Sequence, residues 1–272
     1  MEKYTVAHLT LLIFSLGFFP IILKEIQLLY YKFFNKIFFV HFYFLKEKLN
    51  REETNFLNKN VRFYSKLNSE QKKCFDHRVS FYLKNFQILK RGNVYISNEM
   101  KLLITATLAT LTFGYRNFKL TILNRIIIYP DAYLSSISGK IHKGEFNPKL
   151  KTLVFSWKDF LKGFDSLDDN INLGIHEFSH ALHLNSRSKN DISSIVFKKN
   201  YRILMSLIMK DKIIKTKIIE SKYFRAYAFK NEFELLAVIF EHFIETPQDL
   251  KINFPNIYKT IKKMLNFNFG NY

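Results

Sequence analysis

The chain has 272 residues, of which 48% are hydrophobic and 17% aromatic, a composition that excludes intrinsic disorder and predicts a folded, largely helical protein. Its single cysteine, Cys74, excludes an internal disulfide framework and a zinc site built on several thiolates. The formal net charge of +19 suits nucleic acid, anionic lipid or acidic partners, or reflects a lysine-rich composition; because no nucleic-acid-binding motif is present, nucleic acid is not predicted as a partner.

The N-terminus contains an apolar stretch, Val6–Leu23, whose eighteen residues include no Asp, Glu, Lys or Arg. As a helix, a stretch of this length approximately matches a hydrocarbon core about 30 Å thick. We therefore predict one membrane-spanning helix at residues 6–23, with a buried or interfacial helix as the alternative. A cleaved signal peptide fits less well, because the charges of Glu2 and Lys3 cancel and no small-residue cleavage site follows.

The charges that flank this stretch predict its orientation. Lys3 is the only Lys or Arg before it, whereas six follow closely: Lys24, Lys32, Lys36, Lys46, Lys48 and Arg51. The positive-inside rule then places the rest of this single-pass membrane protein in the cytoplasm. Ile26–Leu45 is also apolar, but lysines interrupt it, so we predict a juxtamembrane helix near anionic headgroups.

Three regions are predicted along the chain: residues 1–50 as the anchor and juxtamembrane helix, 51–95 as a helical connecting region, and 96–272 as the main domain. In the connecting region, the spacing of apolar residues predicts helices over Glu52–Leu67 and over Glu70–Leu89. Ser69 is a suitable N-cap for the second of these helices.

The main domain begins with a helix that Asn98 can cap and that extends to about Phe113. Beyond it, β-branched and alternating patterns predict strands at Leu120–Tyr129 and Thr152–Trp157, with Lys140–Gly144 as a candidate third strand. A small sheet thus precedes the remaining helices, and the predicted fold class is α+β, mainly helical.

A helix capped by Asp168 or Asp169 and extending to about Leu184 contains the segment His176-Glu177-Phe178-Ser179-His180. Histidines at i and i+4 lie on one face of a helix, where they can supply two nitrogen ligands to zinc. Glu177 follows the first histidine and points toward the open position of the metal, where a carboxylate can take a proton from water. The segment predicts a metal site with Glu177 as general base.

A zinc peptidase needs a third protein ligand. A histidine ligand of the metzincin kind is excluded, because His183 and Ser186 stand where Gly and His would be required. A glutamate from a second helix is the other common solution, and the predicted helix Asn231–Glu245, which Pro247 follows, offers four candidates: Glu232, Glu234, Glu241 and Glu245. Spacing alone does not choose among them.

From about Asn98 to the C-terminus the sequence resembles the Mlc titration factor A family of zinc peptidases and, more distantly, the catalytic domain of anthrax lethal factor. The resemblance is carried by residues 126–130, 154–157, 172–180, 227–237, 241–247 and 255–258. It implies a zincin-like domain with one zinc ion per chain. It also implies that Glu234, in Glu234-Leu235-Leu236-Ala237, is the third ligand and that Tyr227 assists in the transition state.

The sequence departs from the family pattern at His183, where the family usually has Asp three residues after the second histidine. This leaves open which acid orients a ligand histidine; Glu241, on the same helix face as Glu234, is a candidate. His183 as a fourth ligand is disfavoured, because a closed site would remove the position that catalysis needs.

These observations predict a zinc-dependent peptidase of the gluzincin type that hydrolyses peptide bonds in peptide or protein substrates through a metal-activated water. The metal ligands would be His176, His180 and Glu234, with Glu177 and Tyr227 as catalytic residues. The alternative is a membrane-tethered regulatory protein that binds a partner, such as a transcription factor, and has weak or incidental peptidase activity.

Overall fold

A computed structural model describes residues 18, 19, 21–166, 168–210, 212–270 and 272. Residues 6–17 and 20 of the predicted membrane span lie outside these ranges. Within them, no helix combines the length and the apolar character that crossing a bilayer requires.

Helix α1 includes residues 21–34. The predicted juxtamembrane helix Ile26–Leu45 is therefore wrong beyond residue 34. Asn35 and Phe39 have positive φ angles of 51° and 47°, which a helix cannot accommodate. Arg116 Nη1 donates to the carbonyl oxygens of Phe38 and Phe39, at 3.1 and 2.9 Å, so these groups are satisfied outside a helix.

The connecting region forms α2 (Arg51–Asn60), α3 (Arg62–Ser65) and α4 (Ser69–Asn85). The single helix predicted over Glu52–Leu67 is broken at Val61, whose backbone is extended. Asn68 rather than Ser69 caps α4, in a capping box with Gln71. The helix predicted over Glu70–Leu89 is wrong for residues 86–89, because α4 ends at Asn85 and strand β1 (Gln87–Lys90) follows.

A four-stranded sheet has the order β1-β2-β6-β5. Strands β2 (Arg125–Tyr129) and β6 (Thr152–Ser156) pair in parallel, and β1 pairs in parallel with β2. The edge strand β5 (Gly144–Asn147) runs antiparallel to β6. A separate two-residue hairpin pairs β3 (Tyr133–Leu134) with β4 (Ile141–His142).

The main domain begins with α5 (Asn98–Thr112), which Ser97 caps, most of whose residues are buried, and which packs against α2 and α4. After the sheet come α6 (Trp157–Asp165), α7 (Leu173–Ser188), α8 (Ile192–Lys210), α9 (Lys212–Glu220), a short 3-10 helix (Ala226–Lys230), α10 (Glu232–Glu245), α11 (Pro247–Asn253) and α12 (Pro255–Met264). The predicted class, α+β and mainly helical with a small sheet, is confirmed.

One cluster of buried hydrophobic residues extends from Leu57 to Tyr272. Residues from both predicted regions, 51–95 and 96–272, contribute to this cluster. Helix α7 lies against the sheet within it, with the rings of Phe178 and Phe155 5.6 Å apart. The helix that carries the histidines is thus fixed by packing on a buried sheet.

Candidate metal centre

The N-terminus of α7 is held by Asn172, and not by Asp168 or Asp169 as the sequence predicted. Asn172 Oδ1 accepts from the backbone N–H of Ile175 at 3.0 Å, which caps the helix. Its Nδ2 donates to the carbonyl oxygen of Gly163 at 2.9 Å and to Glu245 Oε1 at 3.0 Å. One buried amide therefore connects α6, α7 and α10 and fixes where α7 begins.

His176, His180 and Glu234 come together between α7 and α10. One donor atom from each, the two imidazole nitrogens and a carboxylate oxygen, lies within 4.8 Å of the other two. Glu234 Oε2 is 2.9 Å from His176 Nε2 and 3.6 Å from His180 Nε2. Two imidazoles and one carboxylate are a ligand set that zinc prefers, so these residues fit a metal ion.

The four glutamates that the sequence left open have different surroundings. Glu232 accepts a hydrogen bond from the hydroxyl of Tyr201 at 2.9 Å, and Glu245 accepts from Asn172. Glu241 contacts Nδ1 of His176, whereas Glu234 lies next to Nε2 of both His176 and His180. Of the four carboxylates, only that of Glu234 lies where a third ligand is needed.

Glu234 is placed by the first turn of α10. Asn231 caps this helix, and its Oδ1 accepts from the backbone N–H groups of Phe233 and Glu234 at 2.9 and 3.0 Å. Burial alone would raise the pKa of Glu234, but hydrogen bonds from His176 and His180 outweigh it and hold this pKa well below its usual range. The carboxylate is therefore ionised, as a metal ligand must be.

An ion pair between a buried glutamate and a partly exposed arginine orients His176. Glu241 is fully buried, and its Oε1 is 2.6 Å from His176 Nδ1. Both carboxylate oxygens also accept from Arg225, whose Nη1 donates in addition to the carbonyl oxygen of Asn170 at 2.7 Å. Because an ionised carboxylate can only accept, Nδ1 carries a proton and Nε2 is directed at the site.

His176 has carboxylates at both ring nitrogens. Burial by itself lowers the pKa of His176, but the hydrogen bonds to Glu234 and Glu241 outweigh it and raise this pKa to about 9. An imidazole nitrogen and a carboxylate oxygen 2.9 Å apart need a cation between them, either a proton or a metal ion. The electrostatics of the site thus favour a cation at this position.

Glu177 lies beside the edge strand β5. Burial raises the pKa of its carboxyl group and outweighs the opposite effect of His180 and His176; the negative charges of Glu234 and Glu145 add to the increase. A Cβ atom on Gly144 would lie 2.6 Å from Glu177 Oε1, so the strand can pass the carboxyl group only because residue 144 has no side chain. The approach of β5 fixes the position of the Glu177 carboxyl group.

Tyr227 lies in the 3-10 helix, and its ring centroid is 5.9 Å from that of His176. Its side chain is about half-exposed. Burial of the other half raises the pKa of Tyr227 to about 12, and the charges of Glu234 and Glu177 contribute. The hydroxyl group is therefore protonated at neutral pH and is able to donate a hydrogen bond.

His183 is not part of this group. It is buried in an aromatic cluster, with ring centroids 4.3 Å from Tyr201, 4.8 Å from Phe233 and 5.7 Å from Phe197. Burial lowers the pKa of His183 to about 4, so the ring is neutral at pH 7. Neither ring nitrogen has a hydrogen-bond partner among the described residues.

Three residues at the site were not identified from the sequence: Arg225, Asn172 and Gly144. Arg225 lies in a region with many basic residues, and nothing in its spacing distinguishes it from solvent-exposed neighbours. The roles of Asn172 and Gly144 depend on tertiary contacts to Glu245 and Glu177. The one feature of the sequence that could have identified Arg225 is its position two residues before Tyr227, a predicted catalytic residue.

Histidines and a glutamate that converge from two helices beside a small sheet define a metallopeptidase type of site. The sequence profile of the glucose-regulated metallo-peptidase M90 family matches residues 42–266, so the chain belongs to this family. The predicted relation to the Mlc titration factor A family is thereby confirmed.

Two relatives cover most of the chain. An uncharacterized protein of Synechocystis sp., slr2042, is 22% identical over 221 residues, which are 76% of this chain and 80% of the relative. Mlc titration factor A of Yersinia enterocolitica is 22% identical over 215 residues, which are 74% of this chain and 80% of the relative.

Proposed function

We propose that this protein is a zinc-dependent peptidase of the gluzincin type, with one zinc ion held by His176, His180 and Glu234. The observation that carries the proposal is the convergence of these three ligand atoms within 4.8 Å, beside the buried Glu177. Membership of a metallopeptidase family supports it.

The residues around the ligands can perform the proton transfers of peptide hydrolysis. At such a site a bound zinc ion would lower the pKa of water and polarise the carbonyl group of the peptide bond. Glu177 would accept the proton of the attacking water, and its raised pKa makes the carboxyl group able to pass this proton to the leaving amine. The protonated Tyr227 hydroxyl would donate a hydrogen bond to the developing oxyanion.

The test separates metal binding from catalysis. Glu177→Gln should retain zinc and lose peptide cleavage by roughly a thousandfold in kcat, because only the proton acceptor is removed. Glu234→Gln should lose zinc affinity as well. Glu232→Gln, on the same turn of α10, is the matched control and should change neither quantity. Unchanged turnover in Glu177→Gln would end the general-base assignment, and full zinc occupancy in Glu234→Gln would end the ligand assignment.

A second function, binding of a regulatory protein, is supported by the printed name of one relative, Mlc titration factor A. In this proposal the chain binds a partner such as a transcription factor, and cleavage is incidental. The two functions differ in a deletion strain: complementation by Glu177→Gln supports binding, whereas failure of this variant to complement supports catalysis.

We further propose that residues 6–23 anchor the chain in a membrane, with the catalytic part in the cytoplasm. The adjoining described segment supports this, because large apolar side chains are exposed there: Phe33, Phe34, Phe39, Phe42, Phe44 and Leu45. Lysines 24, 32 and 36 in the same segment suit anionic headgroups.

Fractionation of cells that express the full chain tests the anchor. Leu12→Lys/Leu16→Lys, which places two charges in the apolar stretch, should move the protein from the membrane fraction to the soluble fraction. The control Leu150→Lys/Ile252→Lys changes two exposed apolar residues elsewhere and should leave the distribution unchanged. A soluble wild-type chain would contradict the proposal.

A further inference from the structure

The cleft beside His176 and Glu177 has a surplus of basic side chains. It has a volume of about 670 Å³, which suits a short stretch of peptide. The basic groups in its wall are Lys140, Lys143, Lys162, Arg225 and Lys230, and the acidic groups are Asp159, Glu177 and Glu241. The pairing of these charges determines which of them remain available to a ligand.

Two of the acidic groups are already engaged by the protein. Glu241 is paired with Arg225. Asp159 Oδ1 is shared by two ammonium groups, 3.2 Å from Lys143 Nζ and 3.0 Å from Lys162 Nζ. One carboxylate cannot neutralise two cations, so one positive charge is left over on this wall.

Two further lysines have no acidic partner. Within the described ranges, no carboxylate lies at ion-pair distance from Lys140 or Lys230. Both side chains are exposed at the cleft. The Nζ atom of Lys230 lies 5.4 Å from the ring centroid of Tyr227, a contact that leaves its charge unneutralised.

The surplus charge lies close to the candidate catalytic groups. Lys143 directly precedes Gly144, the residue at which a side chain would clash with the Glu177 carboxyl group. Lys230 ends the 3-10 helix that contains Tyr227. Basic side chains from two separate elements therefore lie next to the residues that would act on the bond to be cleaved.

We propose that the substrates of this protein are peptides with Asp or Glu side chains close to the cleaved bond. The inference rests on the proposed peptidase function. Acidic side chains would pair with Lys140 and Lys230, which lack an acidic partner, and with the positive charge that remains where Lys143 and Lys162 share Asp159. A cleft with walls of low dielectric constant concentrates such ligands. Lysine side chains at the same positions would meet repulsion.

Matched short peptides that differ only in Glu, Gln or Lys beside the cleavable bond test this. The Glu peptide should bind the zinc-loaded, full-length protein roughly tenfold more tightly than the Gln peptide and be cleaved with a correspondingly lower KM, and salt should reduce the difference. Lys140→Gln/Lys143→Gln should remove most of this preference, with kcat for the Gln peptide much less affected.

The control keeps the net charge equal. Lys259→Gln/Lys263→Gln removes two exposed charges from α12 and should retain the full preference. Equal binding of the Glu and Gln peptides, or the same loss in both double variants, overturns the inference while leaving the peptidase function intact. Preferential binding of the Glu peptide through the cleft lysines without cleavage of any peptide supports the inference and overturns the peptidase function.

Discussion

Two arginines, one buried and one partly exposed, have different roles in this molecule. Arg78 is fully buried, and within the described residues no carboxylate pairs with it. It donates to the carbonyl oxygens of Thr112 and Tyr115, where α5 ends, and to the Tyr43 hydroxyl at 2.7 Å. Arg225 is partly exposed and pairs through both terminal nitrogens with the buried Glu241.

The difference shows how the two charges are used. Around Arg78, neutral oxygens at the C-terminal end of α5 stabilise the cation. Its hydrogen bonds link the Tyr43 hydroxyl to the end of this helix, and no ionised carboxylate is involved. Around Arg225, a full ion pair holds a carboxylate against His176 Nδ1 and thereby determines which nitrogen of that ring faces the metal site. The first arginine serves stability, and the second orients His176, the proposed metal ligand.

Replacing the first arginine should give the largest effect. Arg78→Met removes a donor from two carbonyl groups. The Thr112 carbonyl keeps the backbone N–H of Tyr115, whereas that of Tyr115 has no second donor among the described residues. The variant should lower the free energy of unfolding by about 4 kcal/mol. Zinc affinity of the folded fraction should be unchanged. Denaturant titration and zinc competition measure the two quantities, and Arg91→Met, at an exposed arginine, is the control. A change of less than about 1 kcal/mol would refute the stabilising role.

The next effect is a pH dependence of the free energy of unfolding. It arises from the carboxyl group of Glu245, which pairs with neither arginine. Burial raises the pKa of Glu245 to about 7, above the ordinary value of 4.5, and its Oε2 has no partner among the described residues. The folded state therefore holds the proton more tightly than the unfolded state. This contribution to stability is fully present below pH 4.5 and is lost as the pH rises through 7.

Comparison with Glu245→Gln isolates this contribution. Relative to the variant, the wild-type chain should lose up to about 3 kcal/mol of unfolding free energy between the two pKa values, because glutamine does not ionise. Denaturant titrations at several pH values give the difference. A difference that is constant with pH would show that Glu245 ionises in the folded chain as readily as in the unfolded one.

Removing the charge that Arg225 pairs with should have a smaller effect, seen mainly in metal affinity. Glu241→Gln keeps an acceptor for His176 Nδ1 but removes the negative charge, and should weaken zinc binding roughly tenfold to a hundredfold. Competition with a chelator measures the affinity, and Glu232→Gln on the same helix is the control. Unchanged affinity would place Glu241 in a purely structural role, like that of Arg78.

The smallest effect is expected at His183. His183→Phe replaces a neutral ring that has unpartnered nitrogens by one that needs no partner, so the free energy of unfolding should change by less than about 1 kcal/mol. Zinc content, measured by atomic emission, should stay at one ion per chain. Loss of zinc from this variant would instead make His183 a ligand.

The sequence was sufficient for the features that depend on local spacing. The i, i+4 histidines with Glu177, and α10 as the source of a carboxylate for the third ligand position, follow from helical periodicity. The choice of Glu234 came from the family resemblance, because four glutamates within fourteen residues are equivalent in composition and differ only in tertiary surroundings.

The features that were missed depend on contacts distant in sequence. Gln87–Lys90 is a strand because it pairs with β2, and its four residues contain no local signal strong enough to end a helix prediction. Several residues near α7 can cap a helix, and Asn172 is selected by its bonds to Gly163 and Glu245. Arg225 gains its role only when folding brings it to Glu241.

The close approach of β5 to Glu177 makes Gly144 a constraint on evolution. A methyl group there would occupy the space of the Glu177 carboxyl group, so even alanine would push the strand or the acid out of place. The two positions should therefore change together or not at all. An alignment of active relatives should show glycine at position 144 wherever Glu177 is conserved. Relatives with another residue at position 144 should have lost hydrolytic activity.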